Sequence, residues 1–231
     1  MALPWKVVDQ FITEDEGKLE LRKRGNRDFI ITLGTQVLMN SMAQRSEIAL
    51  GELGAGPLRN HPAPRVLLGG LGMGITLRAV LDSLAKTAAV AVWELNPKIC
   101  EWCRGPLSDL TRGAVLDPRV RVEIGDVVHG ITNASRKGSD ERLDAIILDL
   151  YRGPHSRTDK REDPLYGSRA ITRAHRALNP GGTFAVWGED HDEGFIRRLA
   201  KAGFSTEFKR PGKGGYSHAV FLATKKKTQS I

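Results

Sequence analysis

One stretch constrains the fold of this chain more than any other: residues 66–81, where an apolar run breaks into glycines and continues as a helical pattern. A strand that turns through glycines into a helix is the structure by which open α/β sheets receive an adenine-containing cofactor. We expect Gly70, Gly72 and Gly74 to form the tight turn, because glycine adopts conformations that a Cβ disfavours. The backbone of these glycines and of Leu71 is then predicted to contact the ligand.

The next strand pattern ends in an acidic residue. An apolar run at residues 88–93 is followed by Glu94, and a carboxylate at this position can accept hydrogen bonds from the hydroxyls of a ribose. Together the two features predict nucleotide binding, whereas a glycine motif alone is equally compatible with a simple turn. The spacing does not separate a dinucleotide from S-adenosylmethionine.

Strand and helix patterns alternate after the glycines. The predicted strands are residues 66–69, 88–93, 120–124, 143–148 and 183–187, and the predicted helices are residues 76–86, 97–110, 127–135, 166–178 and 192–202. Such alternation predicts an α/β fold with a mostly parallel sheet covered on both faces. Two last runs, 204–208 and 218–223, are joined through Gly212, Gly214 and Gly215 and predict an antiparallel hairpin. This ending is typical of a Rossmann-like, seven-stranded class I methyltransferase sheet.

The first sixty residues have a different pattern. Residues 18–22 alternate, Gly25 and Asn26 favour a turn, and residues 29–33 form a β run, so a small antiparallel hairpin or meander is predicted. A helix is expected at residues 46–53. A joint rich in glycine and proline follows. We therefore divide the chain into an N-terminal β region with a helix, residues 1–60, and a cofactor-binding catalytic domain, residues 61–231.

Composition and charge exclude several classes of protein. The hydrophobic fraction is 40% and the charged fraction 27%, as in globular proteins, and no apolar run approaches the roughly 20 residues that span a bilayer. The first residues lack the pattern of a signal peptide, so a cytoplasmic protein without a membrane partner is expected. The net charge is +8, but residues 206–231 hold six Lys/Arg against one acid. A solvated tail explains this surplus, and we expect no nucleic-acid partner.

The two cysteines form a lone C-x-x-C pair, Cys100 and Cys103. Structural zinc needs four ligands, and the sequence offers neither a second pair nor a nearby pair of histidines. Both cysteines fall in a predicted helix, where residues three apart share a face. We therefore expect them to pack in the core, and we expect no metal.

Two further carboxylates follow predicted strands, at the sheet edge where ligands bind. Asp126 and the amide of Val127 can hold an adenine, or Asp126 can simply cap the following helix. Asp149 follows the apolar residues 145–148, so desolvation would raise its pKa and suit it to accept a proton. A structural carboxylate bonded to loop amides is the alternative. Tyr151 is the second catalytic candidate.

At this point the residues resemble a family. Residues 66–81 are similar, without a gap, to the glycine motif of spermidine synthases, and further segments follow in that family's order: Glu94, 117–120, Gly125-Asp126, 143–149 and 177–182. The resemblance covers roughly residues 18–190 and extends to short bacterial proteins labelled spermidine-synthase-like. It implies a methyltransferase-like fold and S-adenosylmethionine or its decarboxylated form as co-substrate.

The departures from that family concern the acceptor. Met73 stands where the family has an acidic residue in the glycine motif. The family also has a segment with two acidic residues: Asp149 matches the first, and Arg152 stands in place of the second. Because a polyamine is a polycation whose recognition needs several carboxylates, we expect putrescine not to be the acceptor.

The resulting prediction is an alkyl transferase that moves a methyl or aminopropyl group to a small-molecule acceptor, with Asp149 as the proton acceptor. A homodimer is a further prediction. Two alternatives stay open: a true aminopropyltransferase, or polyamine synthase, with a rebuilt amine pocket, and a non-catalytic nucleoside-binding module.

Overall fold

The computed structural model describes residues 3–13, 17–136, 138, 141–158, 160–211 and 218–227. Its strands are β1 (Lys6–Thr13), β2 (Gly17–Arg24), β3 (Asp28–Leu33), β4 (Gln36–Asn40), β5 (Arg65–Gly69), β6 (Ala89–Glu94), β7 (Val120–Ile124), β8 (Leu143–Leu148), β9 (Leu178–Gly188), β10 (Phe204–Lys209) and β11 (Ala219–Lys225). Its α-helices are α1 (Arg45–Ala55), α2 (Ile75–Ser83), α3 (Pro97–Arg104), α4 (Val127–Arg136), α5 (Ser168–Ala177) and α6 (Glu193–Lys201).

The N-terminal strands form one antiparallel sheet in the order β1-β2-β3-β4. The predicted hairpin is its centre: β2 pairs with β3 through a turn in which Gly25 has a positive φ of 58°. The sequence pattern missed β1 and β4. Side chains of β1 are mostly exposed, so the strand lacks the alternation of buried and exposed residues on which a strand prediction depends.

The second sheet has seven strands in the order β10-β11-β9-β8-β5-β6-β7. Strands β5 to β9 pair in parallel, and β10 and β11 are antiparallel. The predicted class I methyltransferase sheet and its closing hairpin are therefore confirmed, while the connecting residues Gly212, Gly214 and Gly215 lie outside the described part of the chain. All six residues of β8 are buried, as a strand covered on both faces requires.

The sheet separates two hydrophobic clusters. In β5, Val66 and Leu68 point to the cluster that includes α1, α2 and α3, whereas Leu67 points to the cluster that includes α4, α5 and α6. The alternation of a strand thus distributes one apolar run over both faces of the sheet. Its carboxyl end is left between the two layers, where the glycine turn begins.

Several predicted boundaries shift in the structure. The helix predicted for residues 97–110 ends at Arg104, since Gly105 and Pro106 interrupt it, and a 3₁₀ turn, Ser108–Thr111, follows. Strand β9 begins at Leu178 instead of residue 183. The strand therefore includes the Asn-Pro-Gly-Gly segment, residues 179–182, which the sequence pattern predicted as a connection between a helix and a strand.

The cysteines behave as predicted. Cys100 and Cys103 are free and buried, and burial raises their pKa values to about 11 and about 12. Cys103 donates from Sγ to the carbonyl of Gly72 at 3.2 Å, so the pair packs beneath the glycine turn. Within the described ranges, no group of three or more His, Cys, Asp or Glu side chains could hold a metal ion.

The basic C-terminal segment is partly structured. Lys225 ends β11, and its ammonium group donates to the carbonyl oxygens of His175 and Leu178 at 2.8 and 2.7 Å. The expectation of a solvated tail is therefore wrong for this residue, because it satisfies carbonyls at the end of α5. Residues 228–231 lie outside the described residues.

No helix in the described residues is long and apolar enough to cross a membrane. The division at residue 60, the cellular location, the lack of a nucleic-acid partner and the homodimer stay predictions.

Helix α1 packs closely on α2 beside the site. A Cβ at Gly51 would lie 2.6 Å from Cβ of Ala79 and 2.9 Å from the carbonyl oxygen of Thr76. This contact holds α1, which carries Glu47, beside the first turn of α2.

We expect Gly51→Ala to lower the free energy of unfolding by about 1–3 kcal/mol, the usual cost of overpacking. Gly56→Ala is the matched control, because a Cβ there meets no atom within 4 Å, and it should change stability by less than about 0.5 kcal/mol. Urea unfolding of both variants provides the measurement. Equal midpoints for Gly51→Ala and the wild type would contradict the close α1–α2 contact.

Candidate active site

Two joined cavities lie where the parallel strands end. The first, about 350 Å³, lies over the ends of β5, β6, β7 and β8. The second, about 330 Å³, lies between β4, α1 and the ends of β8 and β9. The residues that line both are Leu38, Met39, Gly72, Asp149, Leu150 and Tyr151.

The glycine turn forms the floor of the junction. Gly70, Gly72 and Gly74 all have positive φ, at 84°, 52° and 79°, and a Cβ on Gly70 would collide with the carbonyl oxygen of Asp149. Gly70 and Gly72 line the first cavity, whereas Leu71 lines only the second. Gly74 lies at the N-cap of α2, where the turn ends, and lines neither cavity; its contact with the ligand stays a prediction.

Glu94 connects the glycine turn to the next loop. Its Oε2 accepts a hydrogen bond from the amide of Leu71 and its Oε1 one from the amide of Asn96, both at 2.9 Å. The half-buried carboxylate also faces the first cavity. Because each carboxylate oxygen accepts more than one hydrogen bond, Glu94 can hold both loops and still accept bonds from a ligand.

Asp126 caps helix α4 and borders the first cavity. Its Oδ1 accepts from the amide of Val128 at 2.8 Å, which is the N-cap interaction that the sequence suggested as one of two roles. Asp126 and Val127 both line the cavity as well. The capping role therefore fixes the side chain without removing it from the position expected for an adenine ligand.

Asp149 lies at the junction of the two cavities. Thr76, which is buried in the first turn of α2, donates to its Oδ2 at 2.5 Å. Burial raises the pKa of Asp149 to about 7; the bond from Thr76 acts in the opposite direction, and the negative charge of Glu47 adds to the rise. The raised pKa expected from the apolar strand is therefore confirmed.

Of the residues that follow Asp149, Tyr151 lines the cavities and Arg152 does not. Tyr151 is 38% exposed and lines both cavities. The exposed guanidinium of Arg152 lies 5.7 Å from the centroid of the Tyr151 ring, and Arg152 lines neither cavity. The positive charge of Arg152 is thus not part of either lining, although it lies over the ring of a residue that lines both.

The sequence analysis did not predict several residues that line the two cavities. The N-terminal sheet covers the first cavity with apolar side chains of Leu19, Ile31, Leu33, Leu38 and Met39. Polar and aromatic side chains line the second: Ser46, Glu47, Trp187, Glu189 and His218. Ser46 and Glu47 belong to residues 45–47, which resemble an N-terminal acidic segment of spermidine synthases, and this likeness is the signal that could have pointed to them.

The two cavities are strongly acidic. Glu94 and Asp126 belong to the first, Glu47 and Glu189 to the second, and Asp149 to both. Among the described residues that line them, none is Lys or Arg. In a chain with a net charge of +8, this concentration of carboxylates favours a cationic ligand.

Comparison with known proteins shows partial sequence relatives. No protein-family model matches the chain. A polyamine aminopropyltransferase from Mycobacterium tuberculosis is 34% identical over 130 residues, which are 56% of this chain and 24% of the relative. The counterpart from Hyperthermus butylicus is 41% identical over 91 residues, 39% of this chain and 30% of that protein. The counterpart from Serratia proteamaculans is 29% identical over 182 residues, 74% and 59% of the two chains.

Solved structures agree in fold. Spermidine synthase from Thermotoga maritima superposes with a TM-score of 0.71 at 21% identity, over 96% of this chain and 74% of that one. A spermidine synthase in complex with the transition state analogue AdoDATO gives a TM-score of 0.70 at 20% identity, over 96% and 73%. These findings confirm the resemblance to the spermidine synthase-like family and its Rossmann-like fold. The chain spans less than two thirds of the length of the curated relatives it matches.

The raised pKa of Asp149 predicts a pH-dependent stability. Its folded pKa of about 7 exceeds the ordinary value of 3.8, so the folded state holds the proton that the unfolded state has lost between these values. The free energy of unfolding should therefore fall as pH rises from about 4 to about 7, and level off above.

Asp149→Asn should lack this contribution, so its stability relative to the wild type should increase over the same interval. Chemical unfolding of both proteins at several pH values gives the difference. Thr76→Val is a second variant. Loss of the hydrogen bond from Thr76 should raise the pKa of Asp149 further, so the pH interval over which the free energy of unfolding falls should extend to higher pH. A difference between Asp149→Asn and the wild type that is constant with pH would contradict the raised pKa.

Proposed function

We propose that this chain is a transferase that moves the aminopropyl group of decarboxylated S-adenosylmethionine to an amine acceptor. The supporting observation is the pair of joined acidic cavities that share Asp149. We refer to the first as the donor cavity and to the second as the acceptor cavity. The sequence relatives are polyamine aminopropyltransferases, which agrees with this assignment.

Charge favours the decarboxylated donor over S-adenosylmethionine itself. Both carry a sulfonium and an ammonium group, but S-adenosylmethionine also carries a carboxylate, which needs a cation or amide donors when it is desolvated. No described residue of either lining is Lys or Arg, and five are carboxylates. A dicationic donor complements this lining, and the aminopropyl reaction is therefore preferred over methyl transfer.

The donor cavity provides a site for each part of the nucleoside. Glu94 would accept hydrogen bonds from the ribose hydroxyls. Asp126 would accept from the adenine amine, and the amide of Val127 would donate to the ring. The turn at Gly70 and Gly72 leaves room for the backbone to approach the sulfonium end.

The transfer itself needs a neutral nucleophile. An alkyl amine is protonated at neutral pH, since its pKa resembles that of lysine, about 10.4. Asp149 is ionised above its pKa of about 7 and accepts the amine proton. The nitrogen lone pair then attacks the methylene carbon beside the sulfonium, the carbon–sulfur bond breaks, and its electrons remain on sulfur as a neutral thioether. Placement of both substrates at Asp149 supplies most of the rate enhancement.

The lining of the acceptor cavity is compatible with a polycationic acceptor. Arg152 lies outside both linings, and Glu47 and Glu189 supply carboxylates to the acceptor cavity. Diamines, including putrescine, are therefore suitable acceptors to test. A non-catalytic nucleoside-binding module would bind the donor but release no 5′-methylthioadenosine in a single-turnover experiment, which separates it from an enzyme.

Glu94→Ala should weaken binding of 5′-methylthioadenosine by about 1.5–3 kcal/mol, the cost of losing hydrogen bonds to a charged acceptor. Calorimetric titration measures the change. Glu207→Ala is the control, because Glu207 is outside both cavities and pairs on the surface with Lys209. Thermal unfolding identifies any loss caused by the Leu71 and Asn96 contacts. Equal affinity in a folded Glu94→Ala protein would remove Glu94 from the site.

Asp149→Asn should reduce transfer by about 10²–10⁴-fold, as expected for removal of a general base. The assay is the release of 5′-methylthioadenosine from decarboxylated S-adenosylmethionine with 1,4-diaminobutane. In the wild type the rate should rise with pH through about 7 and then level off, because Asp149 must be ionised. Donor affinity and folding should survive the substitution.

Asp190→Asn is the matched control for this experiment, since Asp190 lies outside both cavities and pairs with Arg210. It should transfer at the wild-type rate. If Asp149→Asn also did so, the base would have to be reassigned, and Tyr151 would be the next residue to substitute.

A further inference from the structure

A third cavity, about 790 Å³, lies between α4, α5 and the loop that precedes α5. It shares no described lining residue with the donor cavity or the acceptor cavity. Two of its lining residues are acids, several are serines or threonines, and five are arginines: Arg136, Arg161, Arg169, Arg173 and Arg176. The described lining therefore offers ion pairs and hydrogen bonds without an apolar wall. We refer to this cavity as the arginine groove.

Helix α5 provides three of the arginines on one face. Arg169, Arg173 and Arg176 follow one another at spacings of four and three residues, which places them in one row on the helix surface. Like charges at such spacings destabilise a helix, and a cation in the first turn, such as Arg169, also opposes the helix dipole. Since α5 contains no acidic residue, an anion beside the row would stabilise the helix.

The two acids of the groove leave much of the positive charge unpaired. Oδ1 of Asp163 accepts hydrogen bonds from two amides of its own loop, at 2.7 and 3.1 Å. Oε2 of Glu162 lies 2.6 Å from Nη1 of Arg169. Two of the arginines form no ion pair with any described residue: Arg173 and Arg176.

Backbone and hydroxyl contacts hold the groove in shape. A Cβ on Gly167 would lie 2.3 Å from a carbonyl oxygen of the loop, so the loop packs directly on the start of α5. The amide of Arg169 donates to the carbonyl of Arg161 at 3.3 Å. On the other wall, Nη1 of Arg173 donates to Oγ1 of Thr132 in α4 at 3.1 Å. Guanidinium groups from the loop and from α5 are thereby positioned around one space.

The chemistry of the groove indicates the class of its ligand. A guanidinium group binds phosphate through two parallel hydrogen bonds, and serine and threonine hydroxyls can bind further phosphate oxygens. No described residue of the lining is aromatic, so a nucleobase has nothing to stack on. The axes of packed helices lie about 8–10 Å apart, and the space between two of them fits a slender chain better than a nucleic acid duplex.

We propose that the arginine groove binds a polyphosphate anion, whose linked phosphoryl groups contact several arginines at once. This is a second ligand site, remote from the transfer chemistry. Because the groove shares no described residue with the donor and acceptor cavities, this binding does not depend on the proposed function.

Calorimetric titration of the full chain with sodium tripolyphosphate tests the proposal. The wild type should bind tripolyphosphate, with an affinity that falls as the salt concentration rises. Arg176→Gln should weaken binding by about 10-fold or more, because it removes charged hydrogen bonds to phosphate. Arg173→Gln should have a similar effect. Arg176 is exposed, so thermal unfolding of Arg176→Gln should match that of the wild type.

Arg104→Gln is the matched control. Arg104 is an exposed arginine at the end of α3, outside the groove, and its substitution changes the net charge by the same amount as Arg176→Gln. It should bind tripolyphosphate like the wild type. Equal weakening in Arg104→Gln and Arg176→Gln would show a general attraction to the basic chain and overturn the proposal.

Glu162→Gln should change the affinity in the opposite direction. Glu162 competes with the ligand for Arg169, so its neutralisation should strengthen tripolyphosphate binding by up to about 5-fold, the upper value of an exposed ion pair. Weaker binding in this variant would contradict the competition and with it the groove as the binding site.

Two further ligands define the class of anion. Inorganic phosphate should bind at least about 10-fold more weakly than tripolyphosphate, because it contacts fewer arginines. Oligothymidylate tests the phosphates of a nucleic acid and should bind more weakly than tripolyphosphate, since its bases find no aromatic partner. Tighter binding of oligothymidylate, equal binding of inorganic phosphate, or no binding of tripolyphosphate would overturn the proposal.

Discussion

The site depends on the close approach of two strand ends. Gly70 leaves β5 with a positive φ, directly against the carbonyl of Asp149 at the end of β8. The amide of Gly70 donates to the carbonyl of Trp93 at 2.8 Å, and the amide of Asp149 donates to the carbonyl of Gly69 at 2.9 Å. These two hydrogen bonds fix the ends of β5, β6 and β8 beside one another. Since any side chain at position 70 would separate them, this glycine determines where the carboxylates Glu94 and Asp149 lie relative to each other.

Charge is distributed unevenly in this protein. The chain is basic as a whole, yet the lining of the cleft is acidic, and Arg152, whose guanidinium lies over the Tyr151 ring, is not part of that lining. Desolvation strengthens each electrostatic interaction inside the cleft, whereas exposed surface charges are screened by salt. The local lining is therefore a better guide to the ligand than the net charge.

The sequence predicted those features that local patterns control. The apolar run of β8 and the glycines after β5 identified the seven-stranded sheet, and strand-end carboxylates identified Glu94, Asp126 and Asp149. The walls of the acceptor cavity could not be predicted in this way. Ser46 and His218 are 172 residues apart, and their contact arises only when β11 is inserted beside β9. The placement of the Arg152 side chain could not be predicted for a related reason, because spacing places a residue in a loop but does not give the direction of its side chain.

The N-terminal sheet has a consequence for the chemistry. Its apolar side chains from β2, β3 and β4 cover the donor cavity, so the roof of the site is made by a part of the chain that carries none of the nucleotide motif. A sulfonium compound is an electrophile at carbon, and water competes with an amine for it. In the proposed reaction, such a roof would exclude bulk solvent and so decide which nucleophile reaches the carbon. If the proposed function holds, fidelity toward the amine would be a property of the small sheet, and affinity for the nucleoside a property of the large one.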